Sequence, residues 1–95
     1  MENLDLIKKA VKTWENEHQV IMAIEELAEL QKELTKYLCK RGDKVHIAEE
    51  MADVEIMLAQ LKIIFNDEKE MEAAKARKME KLRRLLEDHD TKNKK

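Results

Sequence analysis

Two stretches of the sequence carry closely spaced carboxylates that could bind a divalent cation. The E-E-x-x-E pattern comprises Glu25, Glu26 and Glu29, and the E-E-x-x-D pattern comprises Glu49, Glu50 and Asp53. At about 100° per residue, the three members of each pattern share a sector of a helix about 100° wide. Each pattern therefore predicts a patch of three carboxylates on one helical face.

The two carboxylate patches are expected to face each other. Gly42 lies thirteen residues after Glu29 and eleven residues before Asp53. Helices joined by so short a turn pack antiparallel, and at about 1.5 Å per residue the patches fall at similar heights. Opposed, partly buried carboxylates without a partner are costly, so this arrangement favours a bound cation.

The ligand type indicates which cation and which chemistry to expect. Hard cations prefer oxygen ligands, and Mg²⁺ usually keeps positions open for water and for substrate phosphates. Such an ion neutralises a phosphate chain and activates a bound water for attack on phosphorus. The opposing interpretation is a solvated acidic surface, because the chain holds 21 Asp and Glu residues. Asp53 favours the metal, since it lies in the most apolar segment, where a carboxylate needs a compensating charge.

The elements that position these residues are predicted to be helices only. The chain has one Gly, no Pro and a 42% charged composition rich in strong helix formers. The turn residues that punctuate β-structure are nearly absent, so no sheet is expected. The predicted helices span about residues 4–15, 17–40, 44–65 and 66–87.

Particular residues are expected to set the helix ends and the buried faces. Gly42 should take the left-handed conformation that ends the second helix, Asp43 should cap the third, and Asn66 should cap the fourth. The predicted inward stripe of the second helix comprises Val20, Ile24, Leu27, Leu34 and Leu38.

The chain length favours one small domain that is completed by association. Residues 1–88 form the predicted all-α domain, and residues 89–95 a polar, disordered tail. A domain of this size buries only about 60% of its unfolded surface. From Met51 to Phe65 the only formal charges are Asp53, Glu55 and Lys62, so several faces of the third helix need covering. We therefore expect an oligomer.

Composition also argues against several classes of protein. The single Cys39 provides no internal disulfide, and no signal peptide is recognisable, so a cytoplasmic location is expected. No apolar run approaches the roughly 18 residues that cross a bilayer. The net charge of −2 offers no cationic field for nucleic acid. Neither a membrane nor a nucleic acid is an expected partner.

Together the two acidic motifs resemble those of a known family. The strings EELAEL at residues 25–30 and EEMADV at residues 49–54 are similar to the paired motifs of the all-α nucleoside triphosphate pyrophosphohydrolases, the MazG-like superfamily. The resemblance extends over about residues 14–65 and is greatest to the short, single-domain proteins of phages and bacteria. It implies a four-helix bundle assembled as a homodimer or homotetramer.

The same resemblance implies an activity and a set of site residues. The activity is Mg²⁺-dependent hydrolysis of a (deoxy)nucleoside triphosphate to a monophosphate and pyrophosphate, with Mn²⁺ as a possible substitute ion. It would clear surplus or non-canonical nucleotides. The implied metal ligands are Glu26, Glu29, Glu50 and Asp53, with Glu25 and Glu49 as auxiliary residues behind them. The turn between the motif helices is shorter here than in several relatives, where longer loops help to enclose the base.

Other residues are candidates for catalysis and for substrate binding. Glu25 or Glu29 is placed to act on the attacking water. Trp14 could stack on a base, and Gln19 could contact it, although a core role for Trp14 and a surface role for Gln19 are the simpler interpretations. In the basic fourth helix, Lys78, Lys81 or Arg84, from the same chain or from a partner subunit, could meet the phosphates. The opposing interpretation of that helix is a solvated face balanced by Glu72, Glu80 and Glu87.

A different class of function fits the same composition. The chain could be a non-enzymatic helical oligomerisation or adaptor protein whose carboxylates merely face solvent. A nucleic-acid regulator using the basic fourth helix is disfavoured by the acidic balance and the lack of a recognition motif. The distinguishing fact is whether Glu26, Glu29, Glu50 and Asp53 converge. The sequence leaves open the preferred base and sugar, the number of ions and the general base.

Overall fold

The described part of the chain is all-helical, as predicted. A computed structural model describes residues 2–93, and within that range there are four helices and no strand. They are α1 (Glu2–Thr13), α2 (Asn16–Leu38), α3 (Lys44–Phe65) and α4 (Glu68–Asn93). None of these helices is long and apolar enough to cross a membrane.

The turn between α2 and α3 confirms one predicted cap and corrects another. Asp43 has extended backbone angles, and its carboxylate accepts a hydrogen bond from the Val45 amide at 2.8 Å, so it caps α3 as predicted. Gly42 does not take the predicted left-handed conformation; Lys40 does, with φ of 64°. Glycine is required for a different reason, because a Cβ at position 42 would lie 2.5 Å from the Tyr37 Cα.

The predicted start and end of the fourth helix were wrong. Asn66 is not its N-cap but the C-cap of α3, in the left-handed conformation that Asn tolerates better than most residues. The fourth helix also continues to Asn93, so residues 89–93 of the predicted disordered tail are helical. Those residues contain neither Gly nor Pro to end the helix. Residues 94 and 95 of that tail lie outside the described range.

The main packing contact joins α2 and α3. These helices run antiparallel, because Gln19 near the start of α2 meets Gln60 near the end of α3. The shorter α1 packs against α3, whereas α4 makes no comparable contact with any helix of residues 2–93. The cluster-bearing helices therefore form a hairpin, supported on one side by α1.

Very little apolar surface is buried within the single chain. Ala23 is the only fully buried apolar residue in the described range. Of the predicted inward stripe of α2, Ile24 is 60% exposed and Leu38 78% exposed, so that prediction was wrong for the chain alone. The face that α2 turns toward α3 instead carries Gln19, Ala23 and Glu33, which are the buried residues of this helix.

The overall dimensions agree with this lack of a core. The accessible surface is 8364 Å², whereas a compact monomer of 11.3 kDa exposes roughly 5,700 Å². The radius of gyration is 17.5 Å, compared with about 12.4 Å for a compact chain of this length. The isolated chain is thus an extended hairpin with a projecting fourth helix.

Candidate metal centre

Three carboxylates from the two motif helices converge on one point. Glu26 of α2 and Glu50 and Asp53 of α3 each offer an oxygen, and these oxygens all lie within 4.8 Å of one another. The antiparallel hairpin produces this arrangement, because both acidic motifs lie near the middle of their helices. We refer to these three residues as the acidic cluster.

The acidic cluster is electrostatically unfavourable without a cation. Desolvation raises the pKa of Glu26, and repulsion from Asp53, Glu50 and Glu29 raises it further. The pKa of Glu50 is raised in the same way, first by desolvation and then by neighbouring carboxylates, of which Asp53 contributes most. Glu50 Oε2 is also buried and has no hydrogen-bond partner. A buried acceptor with no donor is unusual and indicates a missing partner.

The other residues of the two motifs lie around the cluster without joining it. Glu29 is close enough to raise the pKa of both Glu26 and Glu50, but it is not among the three residues whose oxygens converge. Glu49 likewise raises the pKa of Glu50. Glu25 and Glu29 are both solvent-exposed. Glu29 is therefore accessible to water at the edge of the cluster.

Sequence reasoning missed one acidic residue of this surface. Glu33 is buried on α2, pairs with Lys36 at 3.4 Å, and contributes to the raised pKa of Glu50. A signal was present, since Glu26, Glu29 and Glu33 follow the i, i+3, i+7 spacing of one helical face. The E-E-x-x-E pattern ends one turn too early to include it.

The acidic cluster fits a hard divalent cation. An octahedral Mg²⁺ with bonds of about 2.1 Å holds its ligand oxygens about 3.0–4.2 Å apart, which is compatible with oxygens that lie within 4.8 Å of one another. A cation would also give Glu50 Oε2 the partner that the protein does not provide. Three protein carboxylates leave other positions of an octahedral ion open to water or phosphate oxygens. This donor set contains no sulfur or nitrogen ligand, which disfavours a structural zinc site.

The structure changes the interpretation of the two residues proposed to contact a base. Trp14, between α1 and α2, is 56% exposed and does not belong to a buried core. Gln19 is only 1% exposed, and its amide donates to the Val11 and Trp14 carbonyls. Gln19 has no access to a ligand, so both its predicted contact with a base and its alternative surface role were wrong.

The basic residues of α4 are exposed and form no ion pair with the acidic cluster. Arg83 forms ion pairs with Glu80 and Glu87 of the same helix, which agrees with a solvated face on that side. No ion pair within residues 2–93 joins Lys78, Lys81 or Arg84 to the carboxylates of α2 or α3. The single chain therefore does not bring these cations to the cluster.

The raised pKa values predict how stability of the metal-free protein depends on pH. Glu26 and Glu50 have folded-state pKa values above the ordinary value of 4.5, so the folded state binds more protons than the unfolded state. Their contribution destabilises the fold above the raised pKa and disappears below 4.5. The free energy of unfolding should therefore fall as the pH rises from 4.5 toward neutrality.

Urea unfolding of the chelator-treated protein between pH 4.5 and 7.5 measures this dependence. The Glu26→Gln/Glu50→Gln variant serves as the reference, because it keeps the side-chain volume and removes both titrating groups. The stability difference between variant and parent should grow with pH. A difference that is constant over this range would contradict the proposed repulsion.

The chain shows no detectable likeness to known proteins. No family model, curated protein or solved structure matches it. The similarity of the EELAEL and EEMADV strings to the MazG-like motifs therefore remains a prediction, and the geometry of the acidic cluster is the finding on which a function can be argued.

Proposed function

We propose that this chain is a Mg²⁺-dependent nucleoside triphosphate pyrophosphohydrolase of the MazG-like type. The supporting observation is that Glu26, Glu50 and Asp53, from the two motif helices, bring their oxygens within 4.8 Å of one another. The buried, unpartnered oxygen of Glu50 adds to this support. We also propose that the protein acts in the cytoplasm, where nucleotides are metabolised.

In the proposed reaction, water attacks the α-phosphorus of the substrate and the bond to the bridging α–β oxygen breaks. The products are a nucleoside monophosphate and pyrophosphate. Glu26, Glu50 and Asp53 would hold the ion, with Glu29 beside them as a further ligand. A bound Mg²⁺ would neutralise the phosphates and lower the pKa of a coordinated water. Glu25 or Glu29, both of which are exposed to solvent, accepts the proton of the attacking water.

Substrate recognition is proposed to involve residues from outside the hairpin. Trp14 is the proposed stacking residue, and it is one of three exposed aromatic side chains in residues 2–93. Lys78, Lys81 or Arg84 from a second copy would balance phosphate charge that one ion leaves uncompensated. The exposed position of α4 in the single chain allows it to reach a neighbouring molecule.

The proposed enzyme is a homodimer or homotetramer. Its chain exposes roughly 2,600 Å² more than a compact monomer of this mass, while an obligate interface commonly buries about 1,000 Å² or more on each partner. The exposed apolar residues of α4 include Leu82 and Leu85, and those of α2 include Leu27 and Leu34. Association with a second copy would bury these apolar surfaces.

Pyrophosphate release from a panel of ribo- and deoxyribonucleoside triphosphates tests the proposed activity. Each nucleotide is incubated with the protein in Mg²⁺ and in chelator, and the products are separated by ion exchange. We expect monophosphate and pyrophosphate in equal amounts, only with the ion. Release of diphosphate and inorganic phosphate would indicate a different cleavage, and the absence of any product across the panel would favour the adaptor function.

Sedimentation equilibrium at micromolar concentration tests the assembly. We expect a mass that is a multiple of 11.3 kDa, because the exposed apolar side chains of the single chain require covering. Leu82→Glu places a charge among the exposed apolar side chains of α4 and should shift the protein toward monomer. The control is Ala73→Glu, nine residues earlier and on the opposite side of the same helix, which should leave the mass unchanged. A stable monomer of the parent protein would refute the proposal.

The adaptor function is the second candidate, because large apolar side chains are exposed on all four helices. An oligomerisation protein needs such surfaces but does not need converging carboxylates. The two candidates differ in one measurable property, since an adaptor with a solvent-facing acidic surface should bind Mg²⁺ no more strongly than any exposed carboxylates do. The enzyme requires a defined site.

A further inference from the structure

A hydrogen-bonded pair of glutamines lies between α2 and α3. Gln60 Nε2 donates to Gln19 Oε1 at 2.8 Å, and the two residues are only 7% and 1% exposed. Gln19 Nε2 in turn donates to the carbonyls of Trp14 at 2.8 Å and Val11 at 3.3 Å. One buried side chain therefore ties α3 and the end of α1 to the start of α2.

This glutamine pair has a fixed relation to the acidic cluster. Gln19 lies seven residues before Glu26, and Gln60 lies seven residues after Asp53. Seven residues are about two helical turns, or about 10.5 Å, and return to nearly the same helical face. In an antiparallel hairpin, the alignment that pairs Gln19 with Gln60 is the same alignment that opposes Glu26 and Asp53.

The remaining contacts between the two helices specify this alignment weakly. The half-buried residues of α3 in this region are mainly aliphatic, and aliphatic side chains of similar size can exchange partners when one helix slides by a turn. The carboxylate oxygens of Glu26, Glu50 and Asp53 lie within 4.8 Å of one another, and their mutual repulsion opposes the native alignment before an ion binds. A buried amide without its partner destabilises the fold, and a single buried polar pair can fix the register of packed helices.

We propose that Gln19 and Gln60 are positioning residues for the metal site. Their hydrogen bond fixes the register of α2 against α3 so that Glu26 is held opposite Asp53 despite the repulsion between them. The inference rests on the proposed metal-binding function, and it assigns part of the metal affinity to two residues that do not touch the ion. It also explains why a polar residue occupies position 60 in the most apolar helix.

A double-mutant cycle with methionine tests this role, because Met has nearly the volume of Gln and cannot form the bond. The variants are Gln19→Met, Gln60→Met and the double variant, and the measurements are Mn²⁺ affinity by calorimetry and stability by urea unfolding. Each single variant should lose about tenfold in Mn²⁺ affinity, the lower end of the range for residues that support metal ligands. Each should also be destabilised, because the remaining amide loses its partner.

The double variant separates positioning from stability. The double variant has no amide left without its glutamine partner. Its loss of stability should therefore be smaller than the sum of the losses in the two single variants, while its Mn²⁺ affinity should stay as low as that of either single variant. The control is Ile7→Ala, in the groove between α1 and α3, which should lower stability and leave Mn²⁺ affinity unchanged.

The possible results distinguish this inference from the proposed function. A parent protein that binds Mn²⁺, with all three methionine variants binding equally tightly, overturns the positioning role and leaves the metal site standing. A parent protein that binds no Mn²⁺ overturns both. Affinity that recovers together with stability in the double variant shows that the glutamines act only on folding, which also refutes the inference.

Discussion

Asp53→Asn is expected to abolish pyrophosphohydrolase activity and to weaken Mg²⁺ binding by at least about 100-fold. Residues that merely support metal ligands commonly contribute about 10–100-fold, so the loss of a charged ligand should exceed that range. Asparagine keeps the size and polarity of the side chain and removes only its charge. Calorimetric titration with Mg²⁺ and steady-state turnover, measured on the same preparation, should therefore fall together.

The stability of the metal-free Asp53→Asn protein should change in the opposite direction. Asp53 raises the pKa of both Glu26 and Glu50, and no cationic side chain in residues 2–93 forms an ion pair with it. Removing its charge relieves repulsion, so the variant should be as stable as the parent or slightly more so. Breaking a buried salt bridge would instead cost about 3–5 kcal/mol.

Glu55→Gln is the matched control for this prediction. Glu55 is exposed on α3, two residues from Asp53, and borders the groove beside α1 rather than the acidic cluster. The change should alter neither turnover nor Mg²⁺ affinity. An Asp53→Asn protein that is destabilised without metal and still hydrolyses nucleotides would show that the assignment of Asp53 as a ligand is wrong.

Mg²⁺ should stabilise the protein strongly against heat. An ion at 100 times its dissociation constant adds about 2.7 kcal/mol, which corresponds to a rise in melting temperature of about 10–20 °C for a domain of this size. The gain arises because the ion binds the native acidic cluster and removes the repulsion within it. Thermal unfolding of chelator-treated protein, followed by circular dichroism with increasing Mg²⁺ or Mn²⁺, gives the measurement.

Simple screening by salt must be separated from specific binding in that experiment. Sodium chloride at equal ionic strength weakens the repulsion among Glu26, Glu50 and Asp53 but cannot coordinate their oxygens. It should reproduce only a small part of the Mg²⁺ effect. Equal shifts with both salts, or no shift with either divalent ion, would count decisively against a metal site.

The helices and the convergence of the main carboxylates were predictable from local sequence features. The absence of Pro and the scarcity of Gly left helices as the only regular structure, and Asp43 identified the start of α3 to the residue. The distance of each motif from the α2–α3 turn then placed Glu26 near Glu50 and Asp53. In an antiparallel hairpin, residues that are similarly far from the turn along the sequence lie beside each other. Glu29 was predicted as an equal member of the group, and the structure places it beside the three.

The features that sequence reasoning missed depend on contacts between helices. Whether Ile24 and Leu38 face inward depends on which side of α2 meets α3, and their apolar character fits an oligomer interface as well as a core. Gln19 and Gln60 are polar residues whose burial requires each other, 41 residues apart. Asn66 has the side chain of an N-cap and the backbone tolerance of a C-cap, and only the chain direction after α3 distinguishes the two roles.

The central position of the acidic cluster in the hairpin has a kinetic consequence. Glu26, Glu50 and Asp53 each lie at least six residues from the nearest end of their helices. Fraying is concentrated at helix ends, so the backbone amides around the cluster should be among the slowest in the hairpin to exchange with solvent deuterium. Capture of an ion would then not wait for any segment to become ordered. Its rate would be set by how quickly the ion sheds its own water, a step that is slow for Mg²⁺.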